Sequence, residues 1–129
     1  MNNPSHDEQS EILVLDGNER NAELLSDFLT IEGYGVVVIT EFDKADRVIA
    51  DASRFAFAIV DIDRFERPVW PYCERLDNHD VPFIVLSGLQ NRALRRESAK
   101  HGANAFVDKP ILKRELRELI KEIPDITSQ

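Results

Sequence analysis

A few side chains in this sequence have the types and spacing to do chemistry together. Asp16 closes the apolar run Ile12–Leu15. Asp61 closes Phe57–Val60, with Asp63 two residues on. Ser87 closes Phe83–Leu86 and is followed by Gly88. Asp108, Lys109 and Pro110 follow Ala105–Val107. If the runs are parallel strands, carboxylates, a hydroxyl and an ammonium converge on one rim. That set suits a phosphoryl group handled with a divalent metal. Hard oxygen ligands hold Mg²⁺, which keeps several of its waters. Lys and Ser can hold the equatorial phosphoryl oxygens that carry charge in the transition state. A carboxylate can act as the nucleophile and become an aspartyl phosphate.

The elements that must position these groups are legible. The apolar runs, with Val36–Ile39 as a fifth, are short and rich in Val, Ile and Phe, as buried parallel strands are. Between them lie amphipathic segments. Asn18–Glu32 sets Leu24, Leu25, Phe28, Leu29 and Ile31 along a helix and stops at Gly33. Glu41–Ala52 follows Thr40, a reasonable N-cap. Further helices are expected near Val69–Leu76, Arg92–His101 and Leu112–Glu122, the last set between Pro110 and Pro124. A βα unit repeated five times implies a parallel sheet with helices on both faces. It is too short for an eight-stranded barrel. Ligands of such sheets sit beyond the carboxyl ends of the strands.

Composition sets the outer limits. The 129 residues are one domain's worth, 43% hydrophobic and 31% charged, as in ordinary globular proteins. Residues 1–9 read as a polar, disordered leader and 124–129 as a short tail. No apolar stretch approaches the length of a membrane span, and the polar start lacks a signal-peptide core. The single cysteine, Cys73, excludes an internal disulfide framework and suits a reducing cytoplasm. It reads as an inert, semi-buried thiol. The net charge of −8 argues against nucleic acid as a partner. The charge is uneven: residues 90–122 carry nine basic and five acidic groups, a net of +4 within the −8, which leaves −12 elsewhere. That basic stretch is a solvated helix face or a partner surface. His6, His79 and His101 are too scattered to form a metal set, and His101 suits a helix C-terminus. Trp70 and Pro71 could form a local contact patch.

The stretches ILVLDGNERN, FAIVDID, VPFIVLSG and GANAFVDKP fall in order across residues 11–122. Together they resemble the receiver domain of two-component response regulators. The resemblance implies a flavodoxin-like α/β/α sandwich over residues 10–123, with a five-stranded parallel sheet in the order 2-1-3-4-5. It implies that Asp61 is the phosphoacceptor and that Lys109 and Ser87 hold the phosphoryl group. Asp16, Asp61 and the backbone carbonyl of Asp63 would bind Mg²⁺. Ser87 and Phe106 would be the switch pair, and the Lys109–Pro110 bond would be cis. The implied partners are a sensor histidine kinase or phosphotransfer protein, and a downstream protein met by the face of the fourth helix, fifth strand and fifth helix. A homodimer through that face is a further expectation. The place of work would be the cytoplasm, with neither nucleic acid nor membrane bound. Such a chain is a phosphoacceptor switch that takes part in its own phosphoryl transfer, not an enzyme.

Three positions depart from the family pattern. Gly17 stands where a second metal-binding acid is usual, and its loss should weaken Mg²⁺. Asp63 and Glu19 are the nearest carboxylates that could replace it. The loop after Asp61 reads IDRFERPVW instead of the usual Met-Pro and Asp-Gly, and Gly88 replaces the commoner Ala. These departures leave room for a pseudo-receiver, a protein-binding module of the same fold that works without phosphate. A more remote alternative is a haloacid-dehalogenase-type phosphatase using the pair Asp61 and Asp63. It would need a further acidic pair downstream and a D-x-D on its first strand.

Overall fold

The computed structural model describes residues 11–63, 69–89 and 91–122. The expected leader (1–9), the tail (124–129) and residues 64–68 of the loop beyond Asp63 lie outside them.

Five strands form one parallel sheet: β1 (Glu11–Asp16), β2 (Gly35–Ile39), β3 (Phe55–Asp61), β4 (Phe83–Ser87) and β5 (Ala105–Asp108). Their order is 2-1-3-4-5, as expected. Five α-helices connect and cover them: α1 (Glu19–Ile31), α2 (Phe42–Ile49), α3 (Trp70–Asn78), α4 (Arg92–Lys100) and α5 (Lys113–Lys121). A 3₁₀ turn at Ala52–Arg54 precedes β3.

The two-residue period of the strands sorts the core into two layers. Ile12, Val14, Phe57, Ile59, Ile84 and Leu86 pack with α1 and α5. Leu13, Leu15, Ala58, Val60, Phe83 and Val85 pack with α2 and α3. The central strand β3 is buried along its whole length, which is why its sequence is apolar without alternation.

The helices differ from expectation in detail. The buried stripe of α1 is Ala22, Phe28 and Leu29, whereas Leu24 and Ile31 are 50% and 81% exposed. Ile31 stands about 200° round the axis from Leu29, at 100° per residue, so the two cannot share a face. Glu41, not Thr40, is the N-cap of α2, and its side chain makes no capping hydrogen bond. Gly33 and Gly102 both take the left-handed φ of +100° just past α1 and α4, the conformation that ends a helix most readily in glycine. The α4 helix buries only Ser98, so little apolar contact holds it down. His101 caps its C-terminus, where ring Nδ1 lies 2.8 Å from the Glu97 carbonyl. Trp70 stacks on the His101 ring at 5.2 Å between centroids, so this aromatic ties α3 to the end of α4. Cys73 is fully buried, not semi-buried, and burial pushes its thiol up to about 12, which leaves it inert.

Candidate functional site

The carboxyl ends of β1, β3, β4 and β5 form one rim. Asp16 and Asp61 are register partners across β1 and β3. Each shares the parity of the residues facing α1 and α5, so both carboxylates face that layer at the strand ends. Asp16 is 0% exposed and Asp61 1%. Ser87 shares the parity of Phe83 and Val85 and so belongs to the other layer. Phe106 lies on that same side, packed against the core of α2 and α3.

Lys109 joins the two sides. Its Nζ lies 2.7 Å from Asp61 Oδ2 and 2.9 Å from Asp63 Oδ2. The Lys109–Pro110 bond is cis. The Lys109 backbone N–H donates to the Ser87 carbonyl at 2.9 Å, which fixes the start of this loop on β4. Burial pushes the ammonium pKa down, but hydrogen bonds and charge from Asp61 and Asp63 outweigh it and hold the pKa above its usual value.

Asp63 is the residue whose side chain the sequence reading missed. The family resemblance gives a role to its backbone carbonyl, and the sequence offers its carboxylate only as a substitute metal ligand or a phosphatase acid, yet that carboxylate sits inside the site on Ser87, Gly88 and Lys109. Ser87 Oγ donates to Asp63 Oδ1 at 2.7 Å, and the Gly88 N–H donates to Asp63 Oδ2 at 2.7 Å. The Asp63 N–H in turn donates to Asp61 Oδ1 at 3.0 Å. Burial raises the Asp63 pKa, but Gly88, Ser87 and Lys109 together bring it below the usual carboxylate value. Asp63 lies two residues beyond the end of β3, so the alternation of the strand does not set the direction of its side chain.

Asp16 is in the opposite condition. Its Oδ1 accepts from the Asn18 N–H at 2.9 Å, but its buried Oδ2 has no hydrogen-bond partner. Burial raises its pKa to about 6. The Asn18 N–H and Lys109 work against that rise, and the Asp61 charge adds to it. A buried, unpartnered carboxylate oxygen beside a second carboxylate fits a hard divalent cation. Asp16 and Asp61 are a sparse pair of hard oxygen donors, of the kind that suits Mg²⁺ keeping much of its water; among the described residues no group of three or more His, Cys, Asp or Glu side chains is placed to hold a metal ion. Glu19 is exposed on the first turn of α1, and the Asp63 carboxylate is engaged by Ser87, Gly88 and Lys109.

Two surfaces adjoin the rim. An open groove of about 500 Å³ runs from Asp16, Asp61 and Lys109 between α1 and α5, past Leu25, Phe28 and Leu116. On the far side, Arg95 of α4 holds its guanidinium 4.7 Å from the centre of the Phe106 ring and 3.5 Å from Asp108 Oδ2. No helix among the described residues is long and apolar enough to cross a membrane.

Comparison with known proteins agrees with the fold. No curated protein matches the chain. Among solved structures, a CheY-like response regulator receiver domain protein from Methanospirillum hungatei JF-1 is similar at 24% identity and a TM-score of 0.76, over 88% of this chain and 92% of that one. A two-component response regulator from Clostridium difficile is similar at 20% identity and a TM-score of 0.81, over 89% and 95%. A response regulator from Burkholderia pseudomallei, solved with a phosphorylated aspartic acid, a calcium ion and citrate, is similar at 24% identity and a TM-score of 0.73, over 89% and 66%. At these identities the likenesses speak for the fold. The model of the response regulator receiver domain matches residues 12–121. The D-x-D pair begins at the last residue of the third strand of the chain, which lies at the centre of the sheet, and not on a first strand as the phosphatase reading requires. This chain belongs to the response regulator receiver domain family, whose members are signalling switches rather than turnover enzymes.

Proposed function

We propose that this chain is a phosphoacceptor switch in a two-component relay. The observation that carries the reading is the buried Asp61 carboxylate, 2.7 Å from the Lys109 ammonium and in register with the unpartnered Asp16. An Asp61 oxygen attacks the phosphorus of a phosphohistidine or a small acyl phosphate. The new O–P bond forms as the bond to the donor's nitrogen or oxygen breaks, and the leaving group departs with the electron pair. Lys109 then leaves the carboxylate for the phosphoryl oxygens, joined by Ser87 Oγ. Asp16, Asp61 and the Asp63 carbonyl would hold Mg²⁺, which supplies positive charge against that developing on the phosphoryl oxygens.

The groove between α1 and α5 opens onto Asp61 and suits the helix of a histidine kinase or phosphotransfer protein. Output would run through Ser87 and Phe106 to the face of α4, β5 and α5, where a downstream protein or a second copy would bind. The loosely held α4 favours this, because a population shift there has little packing to break. This chemistry is set in the cytoplasm. Incubation with acetyl phosphate and Mg²⁺, followed by intact mass, tests the reading. The wild-type chain gains one phosphoryl group and Asp61→Asn gains none. A phosphate-independent module is the second reading, favoured by Gly17 and by the occupation of Ser87 and Lys109 by Asp63. Failure to gain mass even at high Mg²⁺ would select it.

A further inference from the structure

Three donors at the rim would be expected to point at open space if they await a phosphoryl group. They do not. Ser87 Oγ, the Gly88 N–H and Lys109 Nζ all end on the carboxylate of Asp63, at 2.7, 2.7 and 2.9 Å. Ser87 Oγ also accepts from the Leu89 N–H at 3.0 Å, so this anion settles the start of the loop after β4 as well. The Asp63 backbone is fixed in turn by its N–H on Asp61. The carboxylate is thus held by charge-assisted bonds from two strand ends and one loop. The Arg95–Asp108 pair lies outside this cluster.

We infer that the Asp63 carboxylate is a resident anion that occupies the place of the phosphoryl oxygens in the unmodified chain. This deepens, and rests on, the reading of Asp61 as phosphoacceptor. Lys109 contacts Asp61 and Asp63 together, and a phosphoryl group on Asp61 takes the Ser87 hydroxyl, the Gly88 N–H and the second contact of Lys109 by displacing the Asp63 carboxylate. Phosphorylation exchanges one anion for another on the same three donors. Two consequences follow. The loop 87–89 is ordered before modification. Capture of a phosphoryl group is weakened by the fraction of time the donors are occupied. Asn in place of Asp63 keeps the shape and loses the charge, and Ala loses both. Either one frees Lys109 for the incoming group. Gly88 does not decide the matter, because a Cβ there would meet Asp63 Oδ2 at an ordinary 3.4 Å.

The test has two independent readouts on wild type, Asp63→Asn, Asp63→Ala and the rim control Asp108→Asn. The first is the amide spectrum without any ligand. The Gly88 proton is shifted downfield in wild type and in Asp108→Asn, and moves upfield in Asp63→Ala as its short charge-assisted bond is lost. The second is the affinity for beryllofluoride with Mg²⁺, which becomes about tenfold tighter in both Asp63 variants if the donors are free about a tenth of the time in wild type. A Gly88 resonance that is the same in wild type and Asp63→Ala overturns the inference. So does beryllofluoride binding that is unchanged or weaker in both Asp63 variants, which would make the side chain a bystander or a metal ligand. An equal gain in Asp108→Asn would reduce the effect to general rim charge and would also overturn it. If acetyl phosphate fails to phosphorylate any of these proteins while the Gly88 shift behaves as stated, the phosphoacceptor reading has failed and the resident anion has not.

Discussion

Asp16 and Asp61 stand directly across from one another at the ends of β1 and β3, both out of solvent, and only one has a cation. Asp61 has Lys109 at 2.7 Å, whereas Asp16 has one backbone N–H and an oxygen with no partner. The site is built to leave one carboxylate electrostatically unsatisfied, and the first two predictions follow from that asymmetry.

The first concerns pH. Burial raises Asp16 from its ordinary 3.8 to about 6, with Asp61 adding to the rise and Lys109 and the Asn18 N–H opposing it. A carboxyl raised in the folded state binds its proton more tightly there than in the unfolded chain. Its contribution is most favourable below pH 3.8 and is lost as pH climbs through 6. Asp16→Asn should therefore raise Tm at pH 7.5 and leave it nearly unchanged at pH 4. Added Mg²⁺ should raise the wild-type Tm at pH 7.5 more than at pH 5, and should do little for Asp16→Asn. Calorimetry at the three pH values checks this.

The second concerns Lys109. Removing it leaves Asp61 buried without its cation, a loss of about 1–3 kcal/mol once the partial exposure of the ammonium is allowed for. Lys109→Met should show that loss in urea unfolding at pH 7. In an Asp61→Asn background the same change should cost less than about 1 kcal/mol, so a double-mutant cycle reads the coupling directly. Equal costs in both backgrounds would mean the contact carries no energy.

The third concerns α4. Its tie to β5 includes Arg95, which covers the Phe106 ring at 4.7 Å and pairs with Asp108 at 3.5 Å. Exposed contacts of this kind contribute about 1 kcal/mol or less. Arg95→Ala should barely change global stability. Hydrogen exchange in α4 and β5 should nevertheless become faster, while exchange in β1 and β3 stays as it was.

The fourth contrasts two glycines that share a φ of +100°. A Cβ at Gly33 meets nothing within 4 Å, whereas one at Gly102 would lie 2.5 Å from Asp77 Cγ. Gly33→Ala should cost only the backbone strain, about 1 kcal/mol. Gly102→Ala should cost clearly more, about 2–4 kcal/mol, because α3 must also give way. Chemical denaturation of the two variants side by side checks the order.

The fold was legible because its signals are local. Short β-branched runs, helix-period segments and glycines after helices each act over a few residues, and together they imply a doubly wound sheet. Motif spacing placed Asp16, Asp61, Ser87 and Lys109 on one rim, and the structure brings them there. The direction of a side chain past the end of a strand was not legible. Asp63 showed this: its carboxylate turns back onto Ser87 and Gly88 because β4 ends opposite it, a long-range fact that no local pattern states. Ile31 failed for the converse reason. Its apolar type suggested burial, but its angle round α1 sends it to solvent.

The central claim, that Asp61 is the acceptor, is tested most directly by locating the modification. After treatment with acetyl phosphate and Mg²⁺, borohydride reduces an aspartyl phosphate to an alcohol, and peptide fragmentation finds the altered residue. The account predicts a single reduced site at Asp61, absent without the phosphodonor. Reduction at Asp16 or Asp63, or at no residue, would contradict it.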